Sequence, residues 1–223
     1  MELKSLEIPN ILRAKVAVVG ESKVGKTALC QQLASDGTNY PKNYLMTHGA
    51  GVHVKAINIP DTNDCVEMYL LDSSGKELYT PILEPLWKGS AMFVAVYNVC
   101  DEASFGSVVK VRGSIFISFL ESYSLTRYDT FQWIEHVTRV VKDGDEKKTD
   151  RKLMGVLIAN KSDLGDRRVV PPKAGSDLAQ QLGLLYFECS NKDYSGVEEP
   201  FFYLASEYHK QFEEKSDQIG NFA

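Results

Sequence analysis

Cysteine is scarce and scattered: Cys30, Cys65, Cys100 and Cys189, with no C-x-x-C pair. That spacing supplies neither a zinc-binding set nor a disulfide framework, so the thiols are expected to be reduced and wholly or partly buried. Basic residues are too few to dominate: 25 Lys and Arg against 30 Asp and Glu give a net charge of −5. Without a basic stripe, a nucleic-acid surface is not expected. No apolar run is long enough to span a membrane as a helix. The first residues carry acids and no apolar core, so no secretory leader is expected. No cysteine stands in residues 218–223, so no prenyl anchor is expected. The apolar and charged fractions left after these exclusions are ordinary. A length of 223 residues suits one globular domain with elaborations, or two very small ones.

The most informative stretch is residues 20–27, Gly-Glu-Ser-Lys-Val-Gly-Lys-Thr. An apolar run precedes it (residues 16–19) and a helix-compatible run follows it (residues 28–34). Strand, glycine-rich turn and helix together fit the G-x-x-x-x-G-K-[ST] pattern. Gly20 and Gly25 let the backbone wrap a phosphate, so that the N–H groups of Ser22, Lys23, Val24, Gly25 and the helix start at Ala28 can point inward. Lys26 can reach the outer phosphates, and the Thr27 hydroxyl can sit on a magnesium ion.

Further along, residues 52–59 alternate like a strand, residues 60–64 carry turn chemistry, and residues 65–71 read as the returning strand of a hairpin. That strand ends in Asp72-Ser73-Ser74-Gly75. A carboxylate there can hold a metal directly or through water, and the glycine lets its N–H approach a terminal phosphate. Residues 91–97 form a wholly apolar run, as a buried parallel strand requires. Residues 101–105 open a helix with acids in its first turn. A buried strand at 153–159 runs into Asn160-Lys161-Ser162-Asp163. Then come a helix at 172–182, a strand at 184–187 and the turn Ser190-Asn191-Lys192. The last helix is expected at 197–214, with Val197, Phe201, Leu204, Tyr208 and Phe212 at helical spacing. Alternating strands and helices imply an α/β fold with a mostly parallel sheet covered on both faces. All the polar motifs follow strands, so they should converge on one rim.

Asp163 bears on the choice of base. A carboxylate can accept from the ring N–H and the amino group of guanine; adenine offers neither donor there and would leave the carboxylate unpaired. Asn160 and the stem of Lys161 would brace the loop and cover the base. The N–H near Asn191 could meet the guanine carbonyl.

The order Gly20 to Thr27, Thr47, Asp72 to Gly75, Asn160 to Asp163 and Glu188 to Lys192 resembles that of the Ras-like small GTPases, closest to the Rab branch, over nearly the whole chain. The resemblance implies a three-layer P-loop fold with a six-stranded sheet as a single domain over residues 1–223. It also implies GTP or GDP with Mg²⁺ as ligands. By that resemblance Thr47 binds the metal only when the third phosphate is present, Tyr40 packs on the base and Tyr44 lies over the phosphates. Residues 39–51 and 72–89 would be the two mobile regions. Lys26, Thr47, Gly75 and the residue after Gly75 would attend hydrolysis.

One position departs from the family: Lys76 stands where Gln is usual. An ammonium donates only, so it cannot orient an attacking water by accepting from it, and slow hydrolysis is expected. The run 71–79 (Leu-Asp-Ser-Ser-Gly-Lys-Glu-Leu-Tyr) makes a narrower match, together with residues 26–29, Asp36-Gly37 and the turn at 60–62. It is similar to the Rab-like subunit family of the intraflagellar transport B complex. That likeness implies tight pairing with intraflagellar transport protein 25, a small β-sandwich protein, and with other B-complex subunits, and work in the cilium or flagellum. A conventional Rab-type switch in vesicle traffic is the alternative.

Two stretches stand apart. Rab-like chains place a Trp about six residues after the Phe at 105; here the expected Trp is Trp133, and residues 111–132 interrupt the helix. An intron read through in frame, a partner-binding loop and a tolerated surface insertion remain open as origins. Residues 143–152 carry mixed charge and no apolar content, as a solvated loop does.

Overall fold

The computed structural model describes residues 10–108, 133–143 and 154–220. The interruption at 111–132, the charged stretch beyond residue 143 and the lead-in before residue 10 lie outside them.

The elements run β1 (Ile11–Val19), α1 (Lys26–Ala34), β2 (Ala50–Asn58), β3 (Cys65–Ser73), a 3₁₀ turn (Glu77–Tyr79), α2 (Thr80–Trp87), β4 (Met92–Asn98) and α3 (Glu102–Val108). They continue with α4 (Trp133–Asp143), β5 (Met154–Asn160), a second 3₁₀ stretch (Ser162–Arg167), α5 (Pro172–Leu182), β6 (Leu185–Cys189) and α6 (Glu199–Gly220). The six strands form one sheet in the order β2-β3-β1-β4-β5-β6. Only β2 is antiparallel to its neighbour; β3, β1, β4, β5 and β6 run parallel. The fold is α/β, as the alternation of elements implies, with the six-stranded, mostly parallel sheet that the resemblance leads one to expect.

Side-chain alternation along the strands sorts the core into two layers. Val16 and Val18 of β1, with Met92, Val94 and Val96 of β4, face Leu29 and Leu33 of α1 and Phe201 and Leu204 of α6. Ala17 and Val19, with Phe93, Ala95 and Tyr97, face Trp87 of α2, Phe105 of α3, Trp133 and Val137 of α4 and Leu178 of α5. Each large apolar side chain fully buried this way contributes about 1.5–3 kcal/mol. Phe105 and Trp133 share one layer, so the helices flanking the interruption pack into the same core.

Several element bounds differ from the sequence pattern for local reasons. β1 starts at Ile11 because Ile11 to Arg13 pair with Cys65 to Glu67, although Ile11 is exposed and carries no core signal. The helix α2, for which the sequence pattern offered no reading, holds Pro81 and Pro85 within its eight residues. Pro81 sits in the first turn, where a missing N–H costs little, and Leu83 and Trp87 anchor the segment. The helix α6 begins two residues later and ends six residues later than the expected 197–214; Val197 packs just ahead of it and Phe212 is exposed.

Parallel strands place their C-terminal ends together. The turns after β1, β3, β5 and β6, which carry the four polar motifs, therefore share one edge of the sheet. β1 is the point from which the chain winds first to β3 and later to β4, the switch point where such sheets form a crevice.

Candidate functional site

The loop after β1 folds around Lys26. Its ammonium is buried and donates to the carbonyls of Gly20 and Glu21, both at 2.8 Å. Burial pulls its pKa down to about 8, with Asp72 and Glu21 opposing. The Trp133 ring lies 6.0 Å from Nζ, within reach of a cation–π contact. Sequence spacing gave no sign of that neighbour, because the residue enters from another helix.

Three oxygens gather at the start of α1. Thr27 Oγ1 donates to Asp72 Oδ2 at 2.7 Å; Thr47 Oγ1 lies 2.8 Å from Thr27 Oγ1 and 3.4 Å from the same carboxylate oxygen. The other carboxylate oxygen, Asp72 Oδ1, is buried with no hydrogen-bond partner. Burial raises the Asp72 pKa, against hydrogen bonding from Thr27 and the nearby Lys26 charge. Two hydroxyls and one carboxylate are hard donors too few to cage a cation alone. That set fits magnesium, which keeps waters and takes substrate phosphate oxygens as further ligands. Among the described residues no group of three His, Cys, Asp or Glu side chains could hold a metal.

Gly75 closes this end. The Ser22 hydroxyl donates to its carbonyl at 2.9 Å. A Cβ on Gly75 would sit 2.3 Å from the Ser22 nitrogen and 2.4 Å from the Glu21 carbonyl carbon, so only glycine permits the approach. Lys76 follows as an exposed residue in extended conformation. His48 Nδ1 and the Tyr79 hydroxyl lie 2.8 Å apart, a link between the two loops that sequence reasoning missed.

Ser22, Lys23, Gly25, Lys26, Thr27, Ala28, Tyr44, Thr47 and Gly75 line a cleft of about 140 Å³, partly open to solvent. Tyr40, 46% exposed, is not part of that lining.

Beside it, the turns after β5 and β6 interlock with the phosphate-type loop. Asn160 donates to the Val24 carbonyl at 2.7 Å and accepts from the Lys161 N–H at 2.7 Å. Lys161 adopts a left-handed backbone (φ 68), and burial lowers its pKa. Ser190 Oγ donates to Asp163 Oδ1 at 2.9 Å, joining the two turns. Asn191 donates to the Gly25 carbonyl at 2.9 Å, and Gln32 donates to the Asn191 carbonyl at 2.7 Å. Lys192 is exposed at the rim. The Gln32 and Asn191 side-chain bonds were invisible in the sequence, because they join positions 159 and 166 residues apart.

Phosphate loop, metal-type oxygens and carboxylate-bearing turns thus stand along one edge. The Ras family sequence model matches residues 15–120 and 116–210, in two pieces that meet inside the 111–132 interruption. The chain is 36% identical to the intraflagellar transport protein 27 homolog of Bos taurus over 204 residues, 92% of this chain and 94% of that protein. It is 32% identical to intraflagellar transport protein 27 of Chlamydomonas reinhardtii over 216 residues, 96% and 93% of the two chains. Against the Ras-related protein RIC1 of Oryza sativa subsp. japonica the identity is 28%, over 86% and 79%. On this match and this geometry the chain belongs to the Ras family of small GTPases.

Proposed function

We propose that the chain binds GTP and GDP with Mg²⁺, hydrolyses GTP slowly, and serves as a subunit of an intraflagellar transport B complex. The observation that carries the nucleotide part is the cluster of Thr27, Thr47 and Asp72 oxygens within 3.4 Å, beside a buried Lys26 and an orphaned Asp72 Oδ1.

In this reading Lys26 and the N–H groups of Gly20 to Ala28 hold the phosphates. Thr27 and Thr47 attend the metal, with Asp72 acting through water. A magnesium ion held by these oxygens would supply positive charge against the phosphate oxygens during hydrolysis. Asn160, Lys161, Asp163 and the Ser190 to Lys192 turn read guanine. Tyr40 packs on the base and Tyr44 covers the phosphates. The Gly75 N–H reaches toward the terminal phosphate. Lys76 can donate to that phosphate but offers water no acceptor; losing one such contact slows the step about ten- to hundred-fold.

The transport role is supported by the names of the relatives and by the run 71–79. It brings with it a β-sandwich partner like intraflagellar transport protein 25 and a place in the cilium or flagellum. Among the described residues no helix is long and apolar enough to cross a membrane.

Nucleotide extraction from purified protein, followed by mass spectrometry and single-turnover hydrolysis, tests the first part. Guanine nucleotides and slow turnover are expected, and adenine compounds would overturn it. Affinity capture from ciliated cells tests the second. Recovery of B-complex subunits is expected, and their absence beside an intact nucleotide-bound bait rejects the assignment.

A further inference from the structure

Reading a guanine carbonyl through the backbone N–H of residue 191 asks nothing of its side chain. Yet the Asn191 side chain is buried and reaches the phosphate loop, where its amide donates to the Gly25 carbonyl at 2.9 Å. The preceding carbonyl, Val24, is held in the same way by Asn160 at 2.7 Å. Two asparagines from two different turns therefore grip two consecutive carbonyls of one loop. Only glycine allows this at position 25: a Cβ there would lie 2.3 Å from Asn160 Nδ2 and 2.9 Å from Asn191 Nδ2.

A trans peptide unit is planar, with its N–H antiparallel to its C=O. Fixing the Val24 carbonyl outward turns the Gly25 N–H the opposite way; fixing the Gly25 carbonyl does the same for the Lys26 N–H. Gly25 and Lys26 line the cleft. The Gly25 carbonyl also receives the first helical bond, from the Leu29 N–H at 2.9 Å, so both its lone pairs are used.

Gln32 supports Asn191 from behind. It is 1% exposed, and its Nε2 donates to the Asn191 carbonyl at 2.7 Å while its Oε1 has no partner. An amide buried at the expense of an unanswered oxygen is aimed at something, and its target here is the turn that carries Asn191.

We propose that Asn191, whose main-chain carbonyl is held by Gln32, is through its side chain a positioning residue for phosphate. By pinning the Gly25 carbonyl it aims the Lys26 N–H at the phosphates and ties the base-reading turn to the phosphate loop, so that base and phosphates leave together and slowly. This rests on the nucleotide reading above.

The test is stopped-flow release of a fluorescent GDP analogue from full-length, magnesium-loaded protein, with competition titrations by GDP and by guanosine. Asn191→Ala should release the analogue about tenfold faster, and Gln32→Leu a few-fold faster, with association unchanged. The preference for GDP over guanosine should fall by the same factor as the release rate rises, because guanosine never meets the Lys26 N–H. A folded Asn191→Ala with unchanged release, or with GDP and guanosine weakened equally, overturns the proposal. Should Asn191→Ala not fold, the same measurements on Asn191→Ser and Gln32→Leu decide on the same criteria. Wild-type protein that takes up no guanine nucleotide overturns the nucleotide reading as well, which separates the two failures.

Discussion

On the base side of the cleft the amide and hydroxyl donors are engaged within the protein, with Gln32 Oε1 left unanswered: Asn160 grips Val24, Asn191 grips Gly25, Gln32 grips Asn191 and Ser190 bridges to Asp163. On the metal side the protein stops short of completing itself. Asp72 Oδ1 is buried and unpartnered, and Tyr44, Leu45 and Leu78 stand exposed nearby in the chain (60%, 82% and 81%). The first region is preorganised and costs little reorganisation on binding; the second finishes its bonding only with a ligand. A ligand shifts a conformational equilibrium only through interactions that differ between the two states. In the proposed reading, nucleotide state would be signalled from the Thr47, Asp72 and Gly75 side, and the Asn160, Asp163 and Asn191 side would set which base is held and for how long.

The sharpest way to break the contrast is at Asp163. Asparagine is close in size and keeps an acceptor for Ser190, but it loses one acceptor for the base and presents a donor. Asp163→Asn should weaken GDP about 10³-fold and improve binding of xanthosine diphosphate, whose second carbonyl can receive that donor. Competition titration of the two diphosphates measures it. Unchanged GDP affinity would remove Asp163 from the base site.

Gly75→Ala strikes the other side. The added methyl group would collide with the Ser22 and Glu21 backbone, so the turn must withdraw from the phosphate loop. Losing one oriented backbone donor typically lowers turnover about 10²-fold. Single-turnover hydrolysis should fall by that order while GDP affinity, set on the base side, stays within a few-fold. A matching loss of GDP affinity would mean that the two regions are not separable.

Lys76→Gln should act in the opposite direction, restoring an acceptor to water and raising single-turnover hydrolysis about tenfold. Since Lys76 is exposed, the melting temperature should barely move. An unchanged rate would place the limiting step elsewhere.

The base side was the more legible in sequence, and the reason is physical. Motifs such as Asn160 to Asp163 are local strings placed at strand ends, and parallel strands bring them together automatically. The helix α5 could be bounded from Pro172 and Gly183 alone, because a proline at the start and a left-handed glycine at the end are local signals. Contacts that depend on register across the fold left no such trace. His209 Nε2 meets Asp64 Oδ2 at 2.8 Å across 145 residues, and Trp133 reaches Lys26 from another layer. The helix α2 is held by Leu83 and Trp87 packing, with the Trp87 indole donating to Ser73 at 2.9 Å.

Lys26 belongs to both regions, and pH offers the gentlest probe of it. In the free protein burial lowers its pKa to about 8, so the ammonium begins to lose its proton only slightly above neutrality. Polyphosphate favours the charged form, so the complex holds its proton to higher pH than the free protein does. Between those two values the complex binds more protons than the separated partners, and by linkage affinity must fall as pH rises. From pH 7 to pH 8.5 the ammonium fraction of the free protein drops from about nine tenths to about one quarter, which predicts a loss of GDP affinity of about fourfold. The window ends below the range where the guanine ring ionises, which keeps the base side constant while the phosphate side titrates. Calorimetric titration in buffers of different ionisation enthalpy should show proton uptake on binding in the upper half of that window. A flat affinity with no proton uptake would mean that the ammonium of the free protein is already held as firmly by the Gly20 and Glu21 carbonyls as by phosphate.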